Sequence, residues 1–413
     1  MTSGASVGTA FERDMLTDCD GLCYPSAPGS TVDLLLGYSA LARAERLREH
    51  LLSEIDKNRM DKSELQLANR IRAILDNVPR DCLSCLFSTP LAEIDTAPNI
   101  DQREGDCTSV NKRFLLGVRH MIHHPALPDA TFVLPPSLFF GGPLYLPHLN
   151  AMLRNDEPAV TLAVVESEGK TRFVWSDGLS LTLINDGSKL PEDFKHPRLR
   201  ALPHAGGIPV LNEIAEIAPT LSAFEPAAQE EIAIGVQRVE AALKLLKRIW
   251  PLAFHALSRH IKAFCILRHR SYSRSHSPPE LPGTVFLSVE DVECLGDLLC
   301  HESSHVRMNI FRWYDSIVVA RNPEADAASF VSPWRSDLRP IQGLLDGVHA
   351  FLNVCRYYRR LEDQFQTGET FRTIYERQRK NVIQANVILQ QHAKPTTIGA
   401  ILLNQFALEV AQL

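Results

Sequence analysis

The segment from Asp291 to Phe311 constrains the fold of this chain more than any other part of the sequence. Its apolar side chains recur at steps of three, four and seven residues, at Val292, Leu295, Leu299 and Val306. This spacing predicts an amphipathic, largely buried helix. The same segment contains His301, Glu302 and His305 in the pattern HESSH. Polar groups inside an apolar helix cost free energy unless they have partners, so this trio requires an explanation.

The two histidines of this pattern predict a divalent metal site. Residues four apart on a helix lie one turn apart on the same face, with Cβ atoms about 5–6 Å from each other. Two imidazoles in this arrangement can bind one metal ion, while Glu302 projects to a neighbouring face and can contact a metal-bound water or an outer partner. The alternative is that His301 and His305 are polar groups satisfied within the protein.

A third protein ligand is needed, and the helix predicted at Gly343–Arg356 offers two. Asp346 and His349 are three residues apart and therefore share a face of that helix. Asp346 would complete two histidines and one carboxylate, the set typical of non-haem Fe(II) oxygenases, and is the first choice. His349 would give three histidines, which suits zinc or iron. Alternatively, Asp346 stabilises a helix N-terminus and His349 is a core histidine bonded to a carbonyl group.

The connection between these two helices contains Arg335 and Arg339 within the sequence SPWRSDLRP. Guanidinium groups bind carboxylates through two parallel hydrogen bonds, so this loop is predicted to hold an anion near the metal. The alternative is that one of the arginines forms an ion pair with Asp337 or Glu302 and so fixes the loop.

The overall pattern predicts an α+β fold that is mainly α-helical. Helical periodicity dominates and includes a long stretch at Gln229–Leu257, whereas two apolar stretches around Glu166–Lys170 predict a β-hairpin that Leu179–Asn185 extends. Two further strands are predicted at Ala263–Leu267 and Thr284–Ser288. We therefore expect three regions, which are a helical N-terminal region at 1–130, a β-containing region at 131–215 and a helical metal-binding domain at 216–413.

Composition excludes some classes of partner. The 413 residues have a formal net charge of −6, which argues against nucleic acid as a general partner because such binding needs a basic surface. The apolar runs are interrupted by Pro, Gly, Asn or Glu and are too short to cross a bilayer. The N-terminal residues lack the pattern of a secretory signal, and nine cysteines, an odd number, fit reduced thiols. We expect a cytoplasmic protein, and the sequence does not indicate its oligomeric state.

Two blocks of sequence together resemble a known family. LLCHESSH, followed after a spacer by SPWRSDLRPIQGLLDGVHAFLNVCRYYRRL, is similar to the HEXXH-motif domain found beside peptide-modifying enzymes in bacterial gene clusters for ribosomally made natural products. The likeness covers roughly residues 260–370. It implies Fe(II)- and 2-oxoglutarate-dependent hydroxylation at a β-carbon of a precursor peptide, with O2 as the oxidant.

The resemblance also implies roles for particular residues. His301, His305 and Asp346 would hold the iron, and Glu302 would orient a ligand or a bound water. The family often has a histidine at the position of Asp346. A peptide or amino-acid side chain would be the substrate.

An oxygenase of this kind also needs a cation for the distal carboxylate of 2-oxoglutarate. Arg339 is the first candidate for that salt bridge, and Arg335 and Arg356 are the next.

Two other functions remain open from the sequence. In a zinc metallopeptidase, Glu302 would be the general base for a zinc-bound water. In a non-catalytic domain that binds a peptide or a maturase, the metal would be structural and closed by four protein ligands, which would require His349 or another residue in addition to Asp346.

Overall fold

A computed structural model of the chain describes most of the sequence, with gaps. The described residues are 31–57, 60–79, 82–83, 86–87, 117–124, 130–139, 143–155, 160–186, 188–191, 193–213, 227–269, 274–312, 315–319, 330–365 and 368–413. Much of the region predicted as a helical N-terminal part lies outside them. Within the described residues no helix is long and apolar enough to cross a membrane.

The fold is mainly α-helical with several small sheets, as the sequence predicts. The described ranges contain eight helices, numbered α1 Thr31–Lys57, α2 Lys62–Asn77, α3 Gln229–Ile249, α4 Pro251–His260, α5 Val292–Arg312, α6 Ile341–Phe365, α7 Glu369–His392 and α8 Thr397–Ala411. The strands are β1 Ala130–Leu134, β2 Leu144–Leu146, β3 Ala151–Leu153, β4 Leu162–Ser167, β5 Lys170–Trp175, β6 Ser180–Ile184, β7 Lys195–His196, β8 Leu199–Ala201, β9 His204–Ala205, β10 Ile208–Pro209, β11 Ala263–Leu267, β12 Ser275–His276, β13 Thr284–Ser288, β14 Phe330–Val331 and β15 Leu338–Arg339.

The β-containing region has two antiparallel four-stranded sheets, ordered β1-β4-β5-β6 and β2-β3-β8-β7. The predicted hairpin is β4–β5, in which Ser167 pairs with Lys170 across a two-residue turn. Both turn residues, Glu168 and Gly169, have positive φ, as the hairpin turn that matches strand twist requires. One cluster of buried side chains runs from α1 and α2 into both sheets. The N-terminal helices therefore share a core with the β region.

The C-terminal part surrounds a three-stranded sheet, ordered β11-β13-β12, with helices. β11 and β13 are parallel and have the bounds that the sequence predicts, and β12 is the antiparallel edge strand. The stretch predicted as one helix at Gln229–Leu257 is divided into α3 and α4 at Trp250, whose φ is −147°. Pro251 explains the division, because proline lacks the N–H of a helix interior and disfavours helical backbone in the residue before it.

Helix α5 lies at the centre of this part of the molecule. It contacts α1, α3, α4 and α6, and the strands β12 and β13. Helices α6, α7 and α8 pack together beside it around a separate buried cluster. The HESSH residues thus lie on a helix that is enclosed on most sides, between β12 and α6.

Candidate metal centre

His301 and His305 face each other on α5. Their Nε2 atoms are 3.0 Å apart, and the ring centroids are 4.6 Å apart with planes at 84°. Since a histidine nitrogen binds zinc at about 2.0–2.1 Å, one ion can contact both Nε2 atoms at an N–metal–N angle of about 90–97°. That angle is near the octahedral value of about 90° and somewhat below the tetrahedral value of about 109°. The two nitrogens therefore fit a single divalent ion.

The protonation state of His301 also suits metal binding. Burial, together with His305 and the Arg335 guanidinium and against the effect of Glu302, lowers the pKa of His301 to about 4. His301 is consequently neutral at pH 7, with a lone pair available. The same Nε2 separation fits a hydrogen bond between two neutral rings, and neither ring forms another hydrogen bond within the part of the chain that is described.

Glu302 is almost fully enclosed between α5 and strand β12. Its side chain is 3% exposed, its Oε2 accepts a 2.6 Å hydrogen bond from Ser277 Oγ, and its Oε1 lies 3.9 Å from His301 Nε2. Burial raises the pKa of this carboxyl, but the two histidines and the hydroxyls of Ser275 and Ser277 bring the pKa below its ordinary value. Glu302 is therefore held as a charged, hydrogen-bonded group beside the histidines.

Asp346, the first choice for the third ligand, is engaged elsewhere in the structure. Its carboxylate forms an ion pair with Arg312, which also donates a 3.2 Å hydrogen bond to Asn309. Arg312 lies seven residues, or about two helical turns, beyond His305 on the same face of α5. Ligation of an ion at the histidines by Asp346 would require this carboxylate to leave Arg312.

His349 lies on the other side of α6. Gly347 and Phe351, four residues apart, share the face of α6 that meets Trp334, and Phe351 contacts the His301 ring at 4.7 Å between centroids. His349 is about 200° around the helix from each of them, with its ring 6.0 Å from that of Phe406 on α8. The structure does not bring His349 to the two histidines.

No group of three His, Cys, Asp or Glu side chains suited to a metal occurs within the described ranges. The structure thus brings together His301, His305 and Glu302, and leaves Asp346 and His349 apart from them. The identity of the third ligand stays a prediction.

The three candidate arginines have different surroundings. Arg339 forms an ion pair with Asp337, with Nε and Oδ2 3.0 Å apart, which is the alternative considered from the sequence. Arg356 is buried and paired with Glu409, next to a cavity of about 330 Å³ at α6 and α8 that neither metal-site histidine lines. Arg335 is exposed, and its charge lowers the pKa values of both His301 and His276. Arg335 is therefore the candidate whose charge acts on His301.

Two stacked aromatic rings, which the sequence did not predict, lie beside His301. The rings of Trp334 and Phe351 are stacked, with centroids 4.8 Å apart and planes at 9°, and Phe351 contacts His301. Trp334 Nε1 donates a 3.1 Å hydrogen bond to Gln378 Oε1 on α7. A Cβ atom at position 347 would lie 2.6 Å from Trp334, so Gly347 is what allows this indole to lie across α6. The only sequence signal was the combination of a Trp in the loop and a Gly in a buried helix.

Comparison with protein-family models and with curated proteins finds no relative of this chain. No protein-family model and no curated protein matches the chain. The likeness to the HEXXH-motif domain therefore rests on the two sequence blocks and on the residues they place around α5 and α6.

Proposed function

We propose that this protein is an Fe(II)- and 2-oxoglutarate-dependent hydroxylase acting on an aliphatic carbon, in particular a β-carbon, of a peptide or amino-acid side chain. The observation that supports it most is the pair of Nε2 atoms 3.0 Å apart on α5, and the charge of the exposed Arg335 acts on His301. The resemblance to natural-product enzymes supplies the reaction and the substrate class. A gene for a short precursor peptide beside this one would support that role.

Each residue of the site has a definite task in this proposal. His301 and His305 hold the iron, which supplies activation of O2 when it is bound. Arg335 binds the distal carboxylate of 2-oxoglutarate through charge-assisted hydrogen bonds, in preference to Arg339, whose guanidinium already has Asp337. Trp334 and Phe351 keep bulk water from one side of the metal-binding imidazoles.

Glu302 acts as a positioning residue in this mechanism. Its carboxylate accepts hydrogen bonds from serine hydroxyls of β12 and the residue after it, and these bonds keep it ionised and fixed against α5. Asp346 remains the predicted third ligand. Its ion pair with Arg312 keeps the carboxylate at the interface of α5 and α6, and the carboxylate would have to leave Arg312 to bind the ion.

A zinc metallopeptidase is the second candidate, and one observation favours it. Glu302 Oε1 lies 3.9 Å from His301 Nε2, so this carboxylate would be next to a water bound to an ion at the two histidines. This function predicts zinc in the purified protein, hydrolysis products and no dependence on 2-oxoglutarate. A structural metal in a peptide- or maturase-binding domain would instead need a fourth protein ligand.

Anaerobic spectroscopy separates these functions. Protein loaded with Fe(II) should develop a weak visible charge-transfer band when 2-oxoglutarate is added, and the Arg335→Ala variant should need about 10-fold or more 2-oxoglutarate for the same band. Arg339→Ala, in the same loop, is the matched control and should titrate like the wild type. The absence of a band together with peptide cleavage that a chelator inhibits would replace the hydroxylase with the peptidase.

A further inference from the structure

A basic cavity in the β region is separate from the metal centre. Its volume is about 430 Å³, and it lies where the edge strand β7, its neighbour β8 and the end of β3 meet. Its lining includes four basic or imidazole side chains and two apolar ones, namely Arg154, Lys195, His196, Arg200, Phe194 and Leu199.

The positive charge in this cavity is only partly neutralised. Arg200 is paired with Glu213 through two hydrogen bonds, one of them 3.1 Å long between Nη1 and Oε1. Arg154 and Lys195 are exposed, and neither has an acidic partner among the residues that the structure covers. Two guanidinium or ammonium groups at one concave surface attract anions, carboxylates above all.

His196 lines the cavity beside the two cations as a neutral ring. The backbone N–H of Arg198 donates a 3.3 Å hydrogen bond to His196 Nδ1, which places the hydrogen of the neutral ring on Nε2. The ring is stacked on Trp175, with centroids 5.5 Å apart and planes at 26°. Burial and the charge of Arg198 both lower the pKa of His196, so the ring stays neutral at pH 7.

The backbone next to these side chains is open to pairing. Among the described residues, β7 is the last strand of the sheet β2-β3-β8-β7 and pairs only with β8, through Lys195 with Arg200 and His196 with Leu199. An extended peptide can therefore add to the outer side of β7, because unpaired edge strands accept further strands. Phe194 and Leu199 give such a peptide an apolar surface between the charged groups.

We propose that this cavity and the outer edge of β7 bind an extended, carboxylate-rich peptide segment. Arg154 and Lys195 bind its carboxylates, and β7 binds its backbone. The inference goes beyond the proposed hydroxylase function, because binding here needs neither iron nor 2-oxoglutarate. If the hydroxylase function holds as well, the segment is a recognition region of the substrate peptide remote from the residue that reacts.

Fluorescence anisotropy of metal-free protein tests the proposal. The probe is a fluorescein-labelled dodecapeptide in which glutamate alternates with valine, and the comparison peptide has glutamine in place of glutamate. We expect the acidic peptide to bind at least tenfold more tightly than the neutral one, with an affinity that falls as salt rises. Arg154→Glu and Lys195→Glu should each weaken binding at least tenfold.

The control is Lys170→Glu, which makes the same charge change at an exposed residue of β5. It should bind the acidic peptide within about twofold of the wild type, since it lies outside the cavity. The milder Arg154→Gln variant, checked by circular dichroism, keeps the test valid if a charge reversal impairs folding. Equal binding by all variants, equal binding of the glutamine peptide, or competition by inorganic phosphate as effective as that by unlabelled acidic peptide would each overturn the proposal.

Discussion

Replacing Gly347 with alanine should displace Trp334 from its stack on Phe351 beside His301. The new Cβ would lie 2.6 Å from Cζ3 and 2.9 Å from Cε3 of the indole, distances at which something must move. The indole is held by its stack on Phe351 and by its hydrogen bond to Gln378, so it cannot rotate without losing both. Crowding of this kind costs about 1–3 kcal/mol.

A second glycine of the same helix provides the control. A Cβ at Gly343 would meet no atom closer than 3.6 Å, which is ordinary contact. Alanine is more favourable than glycine in a helix by about 0.8–1 kcal/mol, and both substitutions gain up to this amount. We therefore expect Gly343→Ala to raise the free energy of unfolding slightly, and Gly347→Ala to be less stable than Gly343→Ala by about 1–3 kcal/mol.

Thermal unfolding and near-ultraviolet circular dichroism measure the two effects. For a chain of 413 residues that unfolds as one unit, a difference of about 1–3 kcal/mol should separate the two melting temperatures by about 1–4 °C, and the near-ultraviolet spectrum should change only in Gly347→Ala. Metal affinity should also fall in that variant alone, because Phe351 loses the support that holds it against His301. If Gly347→Ala were as stable as Gly343→Ala and kept the wild-type spectrum, Trp334 would not lie where the structure places it.

Three further predictions concern metal binding at His301, the hydrogen bond from Ser277 to Glu302, and the protonation of His123. Fe(II) or Co(II) at about 1,000 times its dissociation constant should stabilise the wild type by about 4 kcal/mol, and His301→Ala should abolish that gain in a thermal shift assay. Ser277→Ala should reduce the free energy of unfolding by about 1.5–3 kcal/mol in urea, because the buried Glu302 loses a hydrogen bond, and Ser277→Thr should restore it. Burial lowers the pKa of His123 to about 4 in the folded protein. As pH falls from about 6.5 to 4, this histidine is therefore protonated in the unfolded chain but still neutral in the folded one, and the free energy of unfolding decreases by up to about 3 kcal/mol. His123→Asn, which tolerates the positive φ there, should flatten that decline in pH-dependent melts.

The features that sequence predicts correctly here are those set by local geometry. The approach of His301 to His305 follows from the helical repeat alone, since residues four apart share a face in any helix. The β4–β5 hairpin follows from two apolar stretches around the polar Glu168 and Gly169, which adopt the positive φ of a tight turn. Both depend on fewer than twenty consecutive residues.

The third ligand could not be predicted in the same way. Asp346 and His349 share a face on the spacing rule, yet one contacts Arg312 on α5 and the other lies against Phe406 on α8. α6 packs against α5, α7 and α8 and has no exposed side chain from Ile341 to Tyr358, so its sequence pattern does not show which of these helices each polar side chain meets. The rotation of α6 is set by packing between elements, and the partner of each polar side chain depends on it.

The polar side chains of α5 differ in their hydrogen-bond partners, and this difference bears on whether the two histidines bind a metal. Glu302 is bound by Ser277 on one side, Ser304 accepts a 3.0 Å hydrogen bond from Asn353 on another, and both contacts are buried. A helix stabilised only by satisfied polar groups would be expected to pair its histidines with neighbouring elements in the same manner. Throughout the described residues, His301 and His305 instead have hydrogen-bonding contact only with each other. One shared cation and one hydrogen bond between two neutral rings both account for this geometry, and stabilisation of the wild type by added Fe(II) or Co(II) distinguishes them.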